Sequence, residues 1–440
     1  MRPDRPRDLA RRIALVMLDG ATDEASLRER MMRSFRPLTP WLVELAVRSL
    51  RAAAPSSTRS GDPLIELILA DRAFVRAAAT RSVPRWVRSQ PVVDSLPQAR
   101  LYVAGLPDIA SPAALAAWLG IAPGALAWLA DPWAQEARRA EGPLRNYRYR
   151  WRARDYGPDR LIEMPKRQLR QIQRRLHAEL LARVPLHAAA HGFVRTRSPL
   201  THARLHAGRD HVLRLDLEQF FVNIGAARIR GLFRLLGYPE AVAVLLAGLC
   251  TNSVPAAVAA TAPHGPLAWT DRARLRQAHL PQGAPTSPAL ANILAWRLDA
   301  RLAGWASRGG LSYSRYADDL TFSADGLTRA QMLRHASVIA AIAEDCGFRV
   351  NPRKTCCFGQ QQAQRVTGLV VNRHPNIARA DFDRLKAILT RCVRHGPAGE
   401  NRAGHRDFRA WLQGSIAWCA SVNPARASKL ERQYARIVWE

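Results

Sequence analysis

LSYSRYADDLTFS, residues 311–323, reads as two short β-prone runs, Leu311 to Tyr316 and Leu320 to Ser323, separated by Ala317, Asp318 and Asp319. Alternating apolar and aromatic residues around a short break predict a hairpin with adjacent acids at its tip. Neighbouring carboxylates repel, so a fold keeps them together at a cost unless a cation neutralises them, and hard oxygen ligands of this kind suit Mg²⁺. An Asp-Asp pair on a hairpin is also a common surface turn, so the choice rests on what surrounds it.

Upstream, HVLRLDLEQFFVNI (residues 211–224) reads as a strand that ends on Asp216, followed by a turn into helix suggested by Phe220, Phe221 and Ile224. A carboxylate at a strand end is well placed for metal. Nucleotidyl transfer needs two magnesium ions about 3.5 to 4 Å apart, one activating a primer hydroxyl and one holding the triphosphate. Asp216 and Asp318 are the candidates to bridge both. Between the two acidic strands lies LPQGAPTSPALANI, residues 280–293. There Gly283 permits close backbone approach, Ser287 caps, and Pro288 starts a helix running to about Ala306 before Gly309 and Gly310 stop it. Beyond the hairpin come GFRVNPRKT (residues 347–355) and RVTGLVVN (residues 365–372).

Composition sets the wider bounds. The chain has 440 residues, enough for two or three domains, with ordinary globular proportions of apolar (48%) and charged (23%) residues. Its 66 Lys and Arg against 36 Asp and Glu leave a formal net charge of +30. Such a field attracts polyanions, nucleic acid first among them. Only four of the 66 are lysine, so a basic coding bias contributes, although guanidinium also suits phosphate. No two of the six cysteines have Cys-x-x-Cys spacing, which argues for reduced, buried thiols. The N-terminal apolar run is too short for a signal core and Ala241 to Cys250 is too short for a membrane span, so a cytoplasmic protein is expected.

Residues 1–95 read as amphipathic helices interrupted by the polar PSSTRSGD, and they carry no recognisable chemistry. From Ser111 to Asp131 two short apolar helices flank a glycine. They resemble a helix-turn-helix, but the second lacks a basic recognition face, which favours a simple packed pair. From Tyr147 the basic, aromatic RYRWRARDYGPDRLIEMP precedes a long helix in KRQLRQIQRRLHAELLARV, a cluster suited to nucleic acid or triphosphate. His187 with His191, and His202 with His206, are each four apart. Neither pair has the Glu of a metalloprotease helix, and packed or RNA-contacting histidines are favoured over zinc.

The order Asp216, PQGAPTSP, RYADDLTFS, then Val366-Thr367-Gly368-Leu369-Val370-Val371-Asn372, resembles retron reverse transcriptases, the bacterial enzymes that make a branched RNA-DNA hybrid from a dedicated noncoding RNA. The resemblance covers roughly residues 110–440 and is most specific from about 190 to 372. It implies an α+β right-hand polymerase fold: fingers and palm over 96–372, a helical thumb over 373–440, and an N-terminal helical extension over 1–95. The implied activity is RNA-directed DNA synthesis with two Mg²⁺ ions and deoxynucleoside triphosphates. The implied partners are a cognate noncoding RNA, its DNA product and an effector protein in antiphage defence, with priming from a guanosine 2′-hydroxyl.

Residue by residue, the resemblance assigns metal binding to Asp216, Asp318, Asp319 and the Leu217 carbonyl. Phe221 matches the aromatic gate against a ribose 2′-hydroxyl, with Phe220 the core member of the pair. Gln282 and Gly283 would line the nucleotide pocket, Arg160 would grip the triphosphate unless it is a surface residue, and Lys354 would sit by the leaving pyrophosphate. RNA or primer contacts fall on His202, His206, Tyr316, Val366, Thr367 and Gly368. The family's Asn-Ala-x-x-His element here begins with His202 instead of Asn, which leaves that position's role open. The alternatives are a group II intron-like or other bacterial reverse transcriptase, or an RNA-binding scaffold without turnover, which the three intact aspartates disfavour.

Overall fold

The computed structural model describes residues 6–18, 24, 27–28, 31–32, 35–36, 39–52, 61–80, 85–86, 103–132, 134–139, 141–153, 159–265 and 267–439. Most of the polar PSSTRSGD stretch and the middle of RYRWRARDYGPDRLIEMP lie outside these residues. The chain forms two compact units, Met1–Pro97 and Gln98–Glu440.

In the first unit, helices α1 (Pro6–Leu18), α2 (Pro40–Ala52), α3 (Gly61–Ala70) and α4 (Arg72–Ala79) accompany two short antiparallel strands, β1 (Phe35–Arg36) and β2 (Arg85–Trp86). Apolar residues recur at helical spacing, so Ile13 and Met17 of α1 and Leu42, Leu45 and Ala46 of α2 are buried in one core with Phe35 and Phe74. Asp71 caps α4 by accepting from the amides of Ala73 and Phe74.

The second unit opens with α5 (Pro112–Leu119) and α6 (Pro123–Ala130). Ser111 caps α5 through the Ala114 amide at 3.2 Å, and Gly120 ends it in the left-handed conformation at φ 69°. The pair is a packed one: Leu115, Leu119, Leu126 and Leu129 are buried in the same core as Val242, Leu246 and Leu249. Next, β3 (Tyr147–Arg152) and β4 (Arg160–Pro165) form an antiparallel hairpin. Arg148, Arg150 and Arg152 are exposed at alternate positions of β3, as a half-buried strand requires. Helix α7 (Arg167–Glu179) buries Leu169, Ile172, Gln173 and Leu176 on one face.

A four-stranded antiparallel sheet forms the centre, in the order β6-β7-β5-β8, from β5 (His211–Leu217), β6 (Ser312–Tyr316), β7 (Asp319–Ala324) and β8 (Val350–Gly359). Leu213, Leu215 and Leu217 of β5 enter the main core together with α9 (Ala226–Leu235) and α10 (Glu240–Cys250), which leaves Arg214 and Asp216 to the opposite face. The helix expected from Pro288 to Ala306 is two helices, α11 (Ser287–Leu294) and α12 (Trp296–Arg308), broken at Ala295. Ser287 is also not the cap: it is the first helical residue, and its hydroxyl donates to the Pro281 carbonyl at 2.7 Å.

Helix α13 (Arg329–Asp345) leads into β8. Three two-residue strands, β9 (Arg365–Val366), β10 (Leu369–Val370) and β11 (Asn376–Ile377), then form a small antiparallel sheet. The chain ends in α14 (Arg379–His395), α15 (Phe408–Val422) and α16 (Pro424–Tyr434). Leu389, Cys392, Leu412, Ile416, Cys419 and Leu430 give these helices a core of their own. Among the described residues no single helix is long and apolar enough to cross a membrane.

One buried ionic cluster ties β4 to the loop before α11. Glu163, wholly enclosed, accepts from His279 Nε2 at 3.0 Å and from Asn252 Nδ2 at 2.7 Å, and its amide donates to the Gln282 carbonyl. Burial alone would lower the His279 pKa, but the Glu163 carboxylate outweighs it and holds the imidazole above its usual range. A raised folded-state pKa stabilises the fold fully below the unfolded value and is lost as pH rises through the folded one. Denaturant unfolding of the whole chain should therefore show a midpoint that falls as pH rises above about 6.5, while His279→Gln should flatten that slope. Identical slopes in the two proteins would show that the pair carries no such linkage.

Candidate active site

Strand β5 is the spine of the site, paired with β7 on one side and β8 on the other. Its last rungs place Asp216 directly opposite Asp319. Directly opposed residues of an antiparallel pair share a face with Cα atoms about 4.5 to 5.5 Å apart, and like charges there are destabilising. Where the sequence suggested a three-residue break, the turn has two residues, Ala317 and Asp318, and Asp319 already belongs to β7. Ala317 occupies the left-handed region at φ 56°, a strain of roughly 1 to 2 kcal/mol for a residue with a Cβ. The Leu217 amide donates to the Asp318 carbonyl at 2.9 Å, which fastens the end of β5 to the hairpin tip.

The three carboxylates are short of positive charge. Burial, then Asp216, then Asp319 push the Asp318 carboxyl up to about 6. Asp319 is raised as well, mainly by burial, against the pull of Arg214, whose Nη2 lies 3.4 Å from its Oδ1. Lys354, projecting from β8, places its ammonium 2.9 and 3.0 Å from the two oxygens of Asp216. Lys354 thus neutralises Asp216, while Asp318 makes no ion pair among the described residues. Hard acidic oxygens in surplus fit divalent cations such as Mg²⁺. Among the described residues no three such side chains already close on one point. Asp216 is turned to Lys354 and Asp319 to Arg214, partners that ion binding would exchange.

Other expected residues fall into three groups. Phe221 is half-buried, its ring tilted against that of Phe193 at 6.2 Å between centroids, while Phe220 is 3% exposed in the core. The 280–287 loop meets β4: Gly283, at φ 135°, lies so close that a Cβ would come within 2.7 Å of the Glu163 carbonyl oxygen. The Gln282 side-chain oxygen is buried there without a partner. Arg160 opens β4 opposite Arg152, half-exposed.

A second group forms a turn. Thr367 and Gly368 are the two turn residues, both at positive φ, with Val366 buried and Gly368 exposed.

 Val366 pairs with Leu369 across this turn, and the Thr367 hydroxyl donates to the Pro199 carbonyl at 3.1 Å. Only Thr367 and Gly368 of this segment offer surface to a ligand; Val366 does not.

The third group corrects an expectation. His202 and His206 are both 0% exposed, so neither offers a surface to RNA. His206 bridges the hydroxyls of Ser323 and Ser314, each at 2.7 Å, behind β6 and β7. His202 lies among the rings of His191, His206 and Tyr316 with both ring nitrogens unpartnered, and burial drives its pKa down to about 2. Helix α8 (Pro199–Arg204), capped by Ser198, carries it there because Ala203 and His202 form its inner face. Tyr316 is half-buried against His202 at the end of β6.

Several supporting residues have roles that the sequence reading did not single out, two of them inside its motifs. Gly192 abuts the hairpin tip so closely that a Cβ would run into the Ala317 amide nitrogen. Arg315, Asp299 and Asn292 lie wholly or almost wholly buried under the same tip. The available signal was a charged residue, Asp299, in phase with Leu302 and Ala306 on the inner face of α12.

The sequence profile of the reverse transcriptases (RNA-dependent DNA polymerases) matches residues 154–371. The chain belongs to the retron reverse transcriptases, and it is an RNA-directed DNA polymerase with the right-hand polymerase fold of that family. It is 41% identical over 309 residues to the retron Mx65 reverse transcriptase of Myxococcus xanthus, covering 66% of this chain and 68% of that one. It is 38% identical over 347 residues to the retron Mx162 reverse transcriptase of the same organism, covering 76% and 68%. With the retron Ec86 reverse transcriptase of Escherichia coli it shares 31% identity over 300 residues, 66% of this chain and 84% of that one.

Two outcomes follow from the packing. Gly192→Ala should lower stability by roughly 1 to 3 kcal/mol, the range for overpacking, and should abolish most polymerase activity in the protein that still folds. Wild-type activity in folded Gly192→Ala would show that the tip tolerates displacement. His202→Leu removes two unpartnered buried nitrogens, and should leave RNA affinity unchanged while stability holds or rises by up to about 1 kcal/mol. A selective loss of RNA binding in a protein of unchanged melting temperature would restore the RNA-contact reading of His202.

Proposed function

We propose that Asp216, Asp318 and Asp319, with the Leu217 carbonyl, hold two Mg²⁺ ions for templated addition of deoxynucleotides to a primer. The observation that carries this reading is the opposition of Asp216 and Asp319 across β5 and β7 under a tip that adds Asp318, a charge surplus partly met by Lys354. Bound metal would supply charge neutralisation at the primer hydroxyl and at the triphosphate. The protein's own groups do the rest. Phe221 closes the space that a ribose 2′-hydroxyl would need, and the unpartnered Gln282 oxygen and the Gly283 backbone line the nucleotide pocket. Arg160 approaches the triphosphate from β4. Lys354, released from Asp216, remains beside the leaving pyrophosphate to stabilise or protonate it.

Residues 96–372 then act as fingers and palm, 373–440 as a thumb and 1–95 as an appended helical unit. Thr367 and Gly368 contact the primer or RNA, as does the exposed edge of Tyr316. The template is a cognate noncoding RNA of the retron kind, primed from a guanosine 2′-hydroxyl, and the product is the branched RNA-DNA hybrid. An effector protein and a role in antiphage defence complete the proposal. Its support is the family membership together with a net charge of +30, suited to holding a structured RNA.

Primer extension on an RNA template with Mg²⁺ and deoxynucleoside triphosphates tests the catalytic assignment. Loss of a metal-binding carboxylate removes several kcal/mol of charge stabilisation, so Asp318→Asn should lose about 1,000-fold or more in rate with its fold intact. Equal incorporation by both proteins, or by neither, would remove the assignment.

A further inference from the structure

Beneath the hairpin tip lies a polar assembly to which the polymerase reading gives no role. Arg315 and Asp299 are both 0% exposed. Arg315 Nε and Nη2 donate to the two oxygens of Asp299 at 2.8 and 2.7 Å, which locks the guanidinium in one plane. Its remaining arm points forward: Nη1 donates to the Ala317 carbonyl at 2.9 Å and to Asn292 Oδ1 at 3.0 Å. Asn292 passes the connection on, donating through Nδ2 to the Gly192 carbonyl at 2.8 Å, and Gly192 is the residue packed against the Ala317 amide. Tyr313 donates to Asp299 at 2.8 Å from the same strand as Arg315.

The Ala317 carbonyl belongs to the peptide plane that precedes Asp318, and the Asp318 carbonyl to the plane that follows it. Arg315 holds the first and the Leu217 amide holds the second. With both planes fixed, the direction of the Asp318 side chain is set by its own rotamer alone. Ala317 meanwhile keeps a left-handed conformation that it would not adopt without such restraint. A buried ion pair is commonly no more stabilising than well-packed apolar side chains, so the position of this one, aimed at the tip, is better explained by the geometry it imposes.

We infer that Arg315, Asp299 and Asn292 are positioning residues that fix the peptide planes of the hairpin tip and so aim Asp318 and Asp319 for metal binding. The inference rests on the proposed role of those acids, and its test is arranged to separate the two. Arg315→Lys keeps a positive charge facing Asp299 but replaces the planar three-nitrogen fork, which reaches Asp299, Asn292 and the Ala317 carbonyl at once, by one ammonium on a shorter side chain. Asn292→Ala leaves the bonds from Arg315 to Asp299 and to the Ala317 carbonyl in place, and removes the link that Asn292 makes between Arg315 and Gly192.

The measurements are hydrogen exchange at residues 316–319, Mn²⁺ affinity by electron paramagnetic resonance titration, and single-nucleotide primer extension, all on the full chain with its RNA template and primer. In either variant, exchange at the tip should speed up about 10-fold and Mn²⁺ affinity should fall about 10-fold. The kcat should fall about 10- to 100-fold while KM for the deoxynucleotide stays within about 3-fold. If Arg315→Lys does not fold, Asn292→Ala decides. Unchanged tip exchange and unchanged Mn²⁺ affinity, with activity tracking only the folded fraction, would overturn the positioning role while Asp318→Asn stays inactive. Full activity in Asp318→Asn would instead remove the reading of the acids, and the inference with it.

Discussion

Asp216 and Asp319 face each other across one rung of an antiparallel sheet, with Asp318 in the turn above them. Electrostatics and sterics both work against that arrangement: the rung opposes like charges, burial removes water that would screen them, and the turn forces an alanine into the left-handed region. Much of the surrounding structure can be understood as what makes it tolerable. Leu213, Leu215 and Leu217 anchor β5 in the main core, so that the strand cannot slip by one residue without burying Arg214 and Asp216. Lys354 and Arg214 each take one carboxylate, and burial beside the other two acids pushes the Asp318 carboxyl up to about 6.

Positive charge is plentiful in this chain and sparse at the acids. Among the described residues, Lys354 and Arg214 alone make ion pairs with the three aspartates. Arg148, Arg150 and Arg152 stand exposed along β3, and Arg167, Arg170 and Arg174 along α7. That division suits a polymerase, in which phosphate-rich strands are held by exposed guanidinium groups and the reacting phosphates are met by cations at a few acids.

The hairpin, the strand that carries Asp216, which runs one residue further to Leu217, and the amphipathic helices of the C-terminal region were legible because each rests on local periodicity. Local reasoning went astray where tertiary packing decided the outcome. Asp319 looked like part of the turn, yet its pairing with both Tyr316 and Asp216 makes it the first residue of β7. Ser287 had the chemistry of a cap, but it is the first helical residue and its hydroxyl donates to the Pro281 carbonyl. His202 and His206, spaced for one helix face, turned inward against Ser314, Ser323 and Tyr316 because α8 packs on the back of the sheet. Arg315 was hidden inside its own motif: alternation along β6 places it inward, and only Asp299 and Asn292, from α12 and α11, make that burial possible.

Where divalent cations bind decides whether these acids are the catalytic centre. A crystal of the protein with an RNA template, a primer lacking its terminal hydroxyl, a deoxynucleoside triphosphate and Mn²⁺ would show this by anomalous scattering. The expected result is a pair of peaks bounded by Asp216 and Asp318, with the Leu217 carbonyl within coordination distance and Lys354 turned from Asp216 toward the triphosphate. Peaks elsewhere, with Lys354 still paired to Asp216 in the presence of bound nucleotide, would contradict it.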